Sequence, residues 1–228
     1  MKLEVIRATN VNEISLGAYQ KFQEVCATSN DEEFISMKMI EIFCGIDLKD
    51  VVKIKLSSVA EMITHFSKLF STKNEFTHRF KIGAQEFGFI PSIEDISMGE
   101  YIDIVKYSSS WEDMHKAMAA MYRPIIKTKG NSYEIQEYSG TVNYADVMKF
   151  APCGIAIAAS VFFWTLGNEL IKAIPHFLEK KMTKQMKTTL ASQLNLANDG
   201  DGINQFMQSL RETWSDSMQL PNFHFTNA

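Results

Sequence analysis

Cysteine and proline are scarce in this chain of 228 residues, which contains three cysteines and five prolines. Cys26, Cys44 and Cys153 lie far apart and form no Cys-x-x-Cys pair. This spacing excludes a disulfide scaffold, and three reduced, buried thiols are typical of a cytosolic protein. Hydrophobic residues make up 46% of the chain and charged residues 22%, which is ordinary for a globular protein and excludes collagen-like sequence and wholesale disorder.

An excess of basic residues is also missing. The chain has 23 Lys and Arg against 27 Asp and Glu, and its net charge of −4 gives no electrostatic reason to expect nucleic-acid binding. The charge is unevenly distributed: residues 91–115 hold six acids and one Lys, whereas residues 172–187 hold five Lys and one Glu. Each patch is either a solvated surface or a contact with the other patch or with a partner.

Long hydrophobic runs are nearly absent. Residues Met1–Arg7 lack the apolar core of a signal peptide, so we do not expect secretion. Residues 150–168 carry no charge over 19 positions, whereas a membrane span needs about 20 mostly apolar residues. Because Pro152, Gly154 and several polar residues interrupt this stretch, it favours a buried central helix, and a membrane span is the alternative.

Catalytic and metal-binding signatures are missing as well. The sequence has no GxGxxG, Walker, HExxH or GxSxG motif, and none of its five histidines has Cys or His at metal-ligand spacing. The loop Asn198–Gly202 fails as a calcium site because Ile203 would occupy a ligand position. We therefore predict a protein that is not an enzyme and holds no cofactor or metal. An active site around Glu112, His115 and Arg123 is the alternative, and it requires these side chains to meet in one pocket.

The residues that are present predict many helices and a few strands. Helix boundaries in the first 124 residues are indicated by Ser15, Asn30 with Glu33, Gly45, Ser97, Ser110 with Asp113, and Pro124. Two β-hairpins are predicted around Gly83-Ala84 and Gly130-Asn131, and a short strand at Lys2–Arg7. Further helices are predicted over residues 144–150, 174–196 and 203–218.

Together these patterns predict an α+β fold that is predominantly helical, with two short antiparallel β-hairpins and a helical C-terminal part. We predict a mixed α/β domain at residues 1–140 and a helical region at 141–228. The boundary between them is soft, and a single domain is the alternative.

Methionine and phenylalanine are abundant, with 13 and 16 copies. Many of them recur at three- and four-residue spacing on predicted helices, which is typical of a helical core. Met-rich apolar faces also form adaptable grooves for client chains. For that second interpretation the candidate protein-binding residues are Met114, Met118, Met121, Phe162, Phe163 and Arg123. Arg123 is alternatively a member of a buried ion pair or a cap for helix carbonyls.

Five stretches taken together resemble a group of tailed-bacteriophage proteins that are encoded among virion-morphogenesis genes. These stretches are ISLGAYQKFQEV, FISMKMIEIFCGI, EFGFIPSIEDISMGEYIDI, WEDMHKAMAAMYRPI and FFWTLGNELI, and the resemblance covers residues 14–172. In architecture the group is similar to tail assembly chaperones, which have a mixed N-terminal part, an acidic helix and a helical C-terminal extension. The resemblance brings no catalytic residues with it.

The resemblance implies a non-catalytic protein of the host cytoplasm. Tail assembly chaperones bind the tape-measure protein, a long helical chain, and keep it soluble while tube subunits polymerise around it. The expected partners are therefore the tape-measure protein or other tail and virion proteins, with no nucleic acid and no membrane, and a homo-oligomer is compatible with this role. The alternative is a structural virion subunit, such as a head–tail connector or a tail component, which would place the protein in the virion.

Overall fold

The computed structural model describes residues 7–92, 96–163 and 165. After a 3-10 helix at Val11–Glu13, the helices are α1 (Leu16–Thr28), α2 (Glu32–Cys44), α3 (Leu48–Val51), α4 (Leu56–Ser71), α5 (Met98–Ser108), α6 (Met114–Met121), α7 (Ala145–Met148) and α8 (residues 153–163). The strands are β1 (Arg79–Ile82), β2 (Gln85–Phe89), β3 (Tyr122–Lys129) and β4 (Ser132–Ile135). The fold is therefore α+β and predominantly helical, as predicted.

The described residues up to Ala159 belong to one compact unit, and those from Ser160 onward belong to a second. Residues 141–159 are thus part of the first unit. The wider division into domains at 1–140 and 141–228 stays a prediction, because most of the second region lies outside the described residues. The helices predicted over 174–196 and 203–218, the basic patch and most of the strand predicted at Lys2–Arg7 lie outside them too.

Helices α1, α2 and α4 meet around the ring of Phe43. The ring centroid of Phe43 lies 5.1 Å from that of Phe22 on α1, and 5.4 and 5.3 Å from those of Phe66 and Phe70 on α4. Phe22 and Phe66 are fully buried, and burying a side chain of this size contributes roughly 1.5–3 kcal/mol. This aromatic cluster fixes α1 against two other helices.

The predicted helix ends are mostly confirmed. The Ser15 hydroxyl accepts a hydrogen bond from the Ala18 N–H at the start of α1, and Gly45 ends α2 in the left-handed region at φ 64°. The prediction that Asn30 caps α2 is wrong. Asp31 is the cap, and its carboxylate accepts hydrogen bonds from the N–H groups of the second and third residues of the helix at 3.0 and 3.1 Å. An ionised carboxylate is the stronger acceptor at a helix N-terminus, which carries partial positive charge.

The four strands form one antiparallel sheet in the order β1-β2-β3-β4. Both predicted hairpins are present, and their turns contain Gly83 and Gly130 at φ 58° and 59°, a region that favours glycine. Helices α5 and α6 lie in sequence between β2 and β3, so the two hairpins are joined through a helix pair. The central pairing of β2 with β3 therefore brings together residues from the two halves of the sheet.

The prediction that Pro124 stops the helix before it is wrong. Helix α6 ends at Met121, and Tyr122 is already extended at φ −121° and ψ 124°. Strand pairing sets this boundary, because Tyr122 pairs with Phe89 and Pro124 pairs with Phe87 of β2. Pro124 lies inside β3.

The uncharged stretch begins as the predicted helix, α8. Gly154 lies at its start, and a Cβ atom there would come within 2.6 Å of Val11 Cγ1, so α8 approaches the N-terminal 3-10 helix too closely for a side chain. Among the helices of the described ranges, none is both long enough and apolar enough to cross a bilayer.

Candidate functional site

The methionines that the sequence offered as partner contacts lie in the core. Met114, Met118 and Met121 are at most 1% exposed, because α6 packs against both α5 and α7. They cannot touch a partner in this fold, which corrects that part of the candidate interface. On α8, Phe163 is buried and Phe162 is half-buried.

Arg123 is a member of a buried ion pair, which is one of the alternatives left open by the sequence. Its Nη1 atom lies 2.5 Å from Glu100 Oε1, and the two side chains are 9% and 8% exposed. The guanidinium also lies over the ring of Tyr138, 5.5 Å from its centroid, and the Tyr138 hydroxyl donates a hydrogen bond to Asp103. Arg123 therefore fastens α5 to the sheet.

Glu100 has a second task at the start of α5. Its Oε2 atom accepts a hydrogen bond from the Ser97 N–H at 2.8 Å, and the Ser97 hydroxyl accepts one from the Glu100 N–H at 3.2 Å, which together form a capping box. Burial opposes ionisation of Glu100, but these hydrogen bonds and the charge of Arg123 outweigh it and lower its pKa. Glu100 is therefore ionised over the physiological range.

The cluster required by the alternative of an active site does not form. Glu112 and His115 line one groove, whereas Arg123 is held in the pair with Glu100 and is not part of that lining. Burial, together with the charges of Lys149 and Lys116, lowers the pKa of His115, so its ring is neutral near pH 7. Within the described ranges, no group of three or more His, Cys, Asp or Glu side chains is arranged to hold a metal ion.

A groove with a volume of about 1240 Å³ runs along α1 on the surface of the first unit. Helix α1 provides one wall from Gly17 to Thr28, and α2 contributes Glu41 and Ile42. The rest of the lining comes from residues 110–112 with His115, and from Asp146, Lys149 and Phe150 at and after α7. We call this feature the α1 groove.

Close backbone contacts hold the end of α7 against the start of α1. The Gly17 N–H donates to the Lys149 carbonyl at 2.7 Å, and the Leu16 N–H donates to the Ala151 carbonyl at 2.8 Å. A Cβ atom on Gly17 would lie 3.1 Å from both Cβ and the carbonyl oxygen of Lys149. Glycine at this position allows the two segments to form that corner of the α1 groove.

The amide of Gln20 fixes the other side of the α1 groove. Its Nε2 atom lies 2.7 Å from the Trp111 carbonyl oxygen, 2.8 Å from the Glu112 carbonyl oxygen and 3.0 Å from His115 Nδ1. The ring of Trp111 also packs edge-on against Tyr19, with centroids 5.0 Å apart. Side chains of α1 thus determine where the connection between α5 and α6 lies.

Phe150 is the most exposed aromatic side chain of the α1 groove, at 73% exposure. Sequence reasoning placed it at the end of the helix predicted over residues 144–150 and at the start of the uncharged stretch, and missed its surface position. The local signal was weak, since one exposed aromatic after a short helix is common. Aromatic side chains are enriched in the buried centre of protein interfaces, so Phe150 is a candidate contact for a partner.

Comparison with known proteins gave no match to any family model, to any curated protein or to any solved structure.

Proposed function

We propose that this protein is a non-catalytic morphogenesis protein of a tailed bacteriophage, specifically a tail assembly chaperone that binds the tape-measure protein. The α1 groove is the observation that carries the proposal. Its volume of about 1240 Å³ accommodates the side chains on one face of a helix, and Phe150 offers an apolar contact on its rim. The client's identity comes from the resemblance of residues 14–172 to phage morphogenesis proteins.

The polar side chain of Gln20 in the α1 groove makes contacts within the protein. The side-chain amide of Gln20 donates to backbone carbonyls and faces His115 Nδ1 at 3.0 Å. These hydrogen bonds hold residues 111 and 112 against α1, so the Gln20 amide is engaged within the protein. These residues shape the wall of the groove.

Co-expression with overlapping fragments of the tape-measure protein of the same genome tests the proposal. The chaperone role requires at least one fragment to co-purify stoichiometrically with this protein and to stay soluble only in its presence. It also requires the protein to be absent from purified particles. Stoichiometric copies in mature virions, measured by mass spectrometry, would overturn the proposal and favour a structural virion subunit.

A further inference from the structure

The walls of the α1 groove suit a helical occupant better than an extended one. The walls include α1 and parts of α2, α6 and α7, and the backbone groups inside helices already bond to each other. An extended peptide would need an open strand edge for its own N–H and C=O groups, whereas a helix satisfies them internally. Because the lining runs along α1 from Gly17 to Thr28, it matches a partner helix of about three turns.

Several elements contribute apolar side chains to the lining of the α1 groove. Phe150 is 73% exposed, and Trp111 and Ile42 are half-buried. Ala18 and Ala27 on α1 add small side chains that permit close approach. An occupant helix therefore needs a continuous apolar stripe on the face that enters the groove.

The charge of the lining determines which helices fit. Of its six charged side chains, Asp146 lies 2.8 Å from Lys149, and Glu41 lies 2.5 Å from Lys38, which is outside the lining. This leaves Lys21, Glu24 and Glu112. The carboxylates of Glu24 and Glu112 are exposed and form no ion pair among the described residues. The charge left after pairing is therefore negative.

Glu24 and Glu112 belong to the same stretch of the groove. Gln20 precedes Glu24 by one helical turn on α1, so the two residues share a face. The Gln20 amide also donates to the Glu112 carbonyl oxygen at 2.8 Å. Both carboxylates belong to the lining of the α1 groove, so a cationic side chain of an occupant lying along α1 is attracted to this part of it.

We infer that the α1 groove binds an amphipathic helix of about three turns, with an apolar stripe against Phe150 and a Lys or Arg beside Glu24 and Glu112. This inference rests on the proposed function only for the client's identity, which would be a helical segment of the tape-measure protein. The chemistry of the site is that of a receptor for basic amphipathic helices.

Two synthetic peptides of about 15 residues test this inference against the full chain by fluorescence anisotropy. They share one apolar leucine stripe and differ only in their flanking residues, which are lysines in one and glutamates in the other. The lysine peptide is expected to bind at least about tenfold more tightly, and added salt is expected to weaken its binding. Equal affinity for the two peptides, or no binding of the lysine peptide at millimolar concentration, would overturn the inference.

Exposed substitutions in the α1 groove provide the second arm of the test. Phe150→Ala is expected to weaken binding of the lysine peptide about tenfold, since it removes the aromatic surface that the apolar stripe of the peptide would cover. The matched control is Ile126→Ala on β3, where the side chain is 64% exposed outside the groove, and it is expected to leave affinity unchanged. Equal losses of peptide affinity in the two variants would contradict the α1 groove as the binding site.

Charge reversal tests the acidic feature directly. Glu24→Lys with Glu112→Lys is expected to reverse the preference, so that the glutamate peptide binds more tightly. Glu61→Lys, an exposed site on α4 outside the groove, is the control that keeps the original preference. A preference that survives the double reversal would overturn the inference.

The same variants separate this inference from the proposed function. If tape-measure fragments bind, but neither Phe150→Ala nor the double charge reversal changes their affinity, the inference fails and the proposed function stands. If the lysine peptide responds to these variants but no tape-measure fragment binds, the proposed function fails and the inference stands.

Discussion

The carboxylate of Glu100 lies 2.5 Å from the guanidinium of Arg123, and less than a tenth of either side chain is exposed. The pair joins the first turn of α5 to the central strand β3. Tyr138 covers the guanidinium, and its hydroxyl returns to Asp103 on α5. One charged pair thus connects the helix pair of the fold to its sheet.

Arg123→Ala is expected to lower the free energy of unfolding by about 3–5 kcal/mol, because it leaves the Glu100 carboxylate buried without its partner. Urea unfolding followed by circular dichroism measures the change. Lys127→Ala is the matched control, since Lys127 pairs with Glu134 at 3.0 Å on the surface with both side chains more than half exposed. That substitution is expected to cost less than about 1 kcal/mol.

Replacing both members of the buried pair tests whether the cost of Arg123→Ala comes from the unpaired carboxylate that it leaves behind. Glu100→Leu with Arg123→Met removes both charges together, so it is expected to cost clearly less than Arg123→Ala alone. A double variant that is no more stable than the single one would contradict this account of the pair.

The pKa of Glu100 makes the same pair sensitive to acid. Because this pKa is lower in the folded protein than in the unfolded chain, the pair's stabilisation is complete above the unfolded value of about 4.3 and disappears as pH falls through the folded pKa. The difference in unfolding free energy between wild type and Glu100→Gln is therefore expected to shrink below about pH 4.3. Urea titrations from pH 7 to pH 3 measure it, and a constant difference would contradict the assignment.

A comparison of Met118 with Met98 separates the effect of a core methionine from that of a surface methionine. Met118→Ala is expected to cost roughly 2–5 kcal/mol, because the side chain is fully buried and its loss leaves a cavity. Met98 on α5 is 72% exposed, and Met98→Ala is expected to cost less than about 0.5 kcal/mol. Similar unfolding midpoints in urea for the two variants would show that Met118 is not a core residue.

Two helical glycines are expected to respond oppositely to alanine. At Gly154 a Cβ would clash with the side chains of Asn12, Val11 and Asn74, so Gly154→Ala is expected to cost about 1–3 kcal/mol. At Gly99 the nearest atom to a new Cβ is 3.7 Å away, on the Tyr138 ring. Gly99→Ala is therefore expected to be neutral or to stabilise by up to about 1 kcal/mol. Thermal unfolding compares them, and a destabilised Gly99→Ala protein would refute the second expectation.

Helix ends and hairpin turns could be predicted from the sequence where residues close in the chain determine them. Ser15, Ser97 and Gly45 mark helix ends because their caps involve neighbouring residues, and the hairpins follow from Gly83 and Gly130. The helix end predicted from Pro124 was wrong because the pairing of β3 with β2 already begins at Tyr122. That pairing joins residues more than 30 positions apart, which no local pattern contains.

The α1 groove could not be predicted, because its walls meet through distant contacts. Gln20 bonds to the carbonyls of Trp111 and Glu112, and the Gly17 N–H bonds to the Lys149 carbonyl. The abundance of methionine pointed to a binding surface, yet Met114, Met118 and Met121 fill the core. The exposed apolar residue of the groove is Phe150, whose exposure the predicted helix over residues 144–150 did not indicate.

The most direct measurement of the central claim is site-specific photo-crosslinking during co-expression with the tape-measure protein. A benzophenone amino acid placed at position 150 lies on the rim of the α1 groove, and one at position 126 lies on β3 outside it. We expect a crosslink from position 150 to a basic, helical segment of the tape-measure protein and none from position 126. Equal crosslinking from both positions, or none from position 150 while the two proteins co-purify, would contradict it.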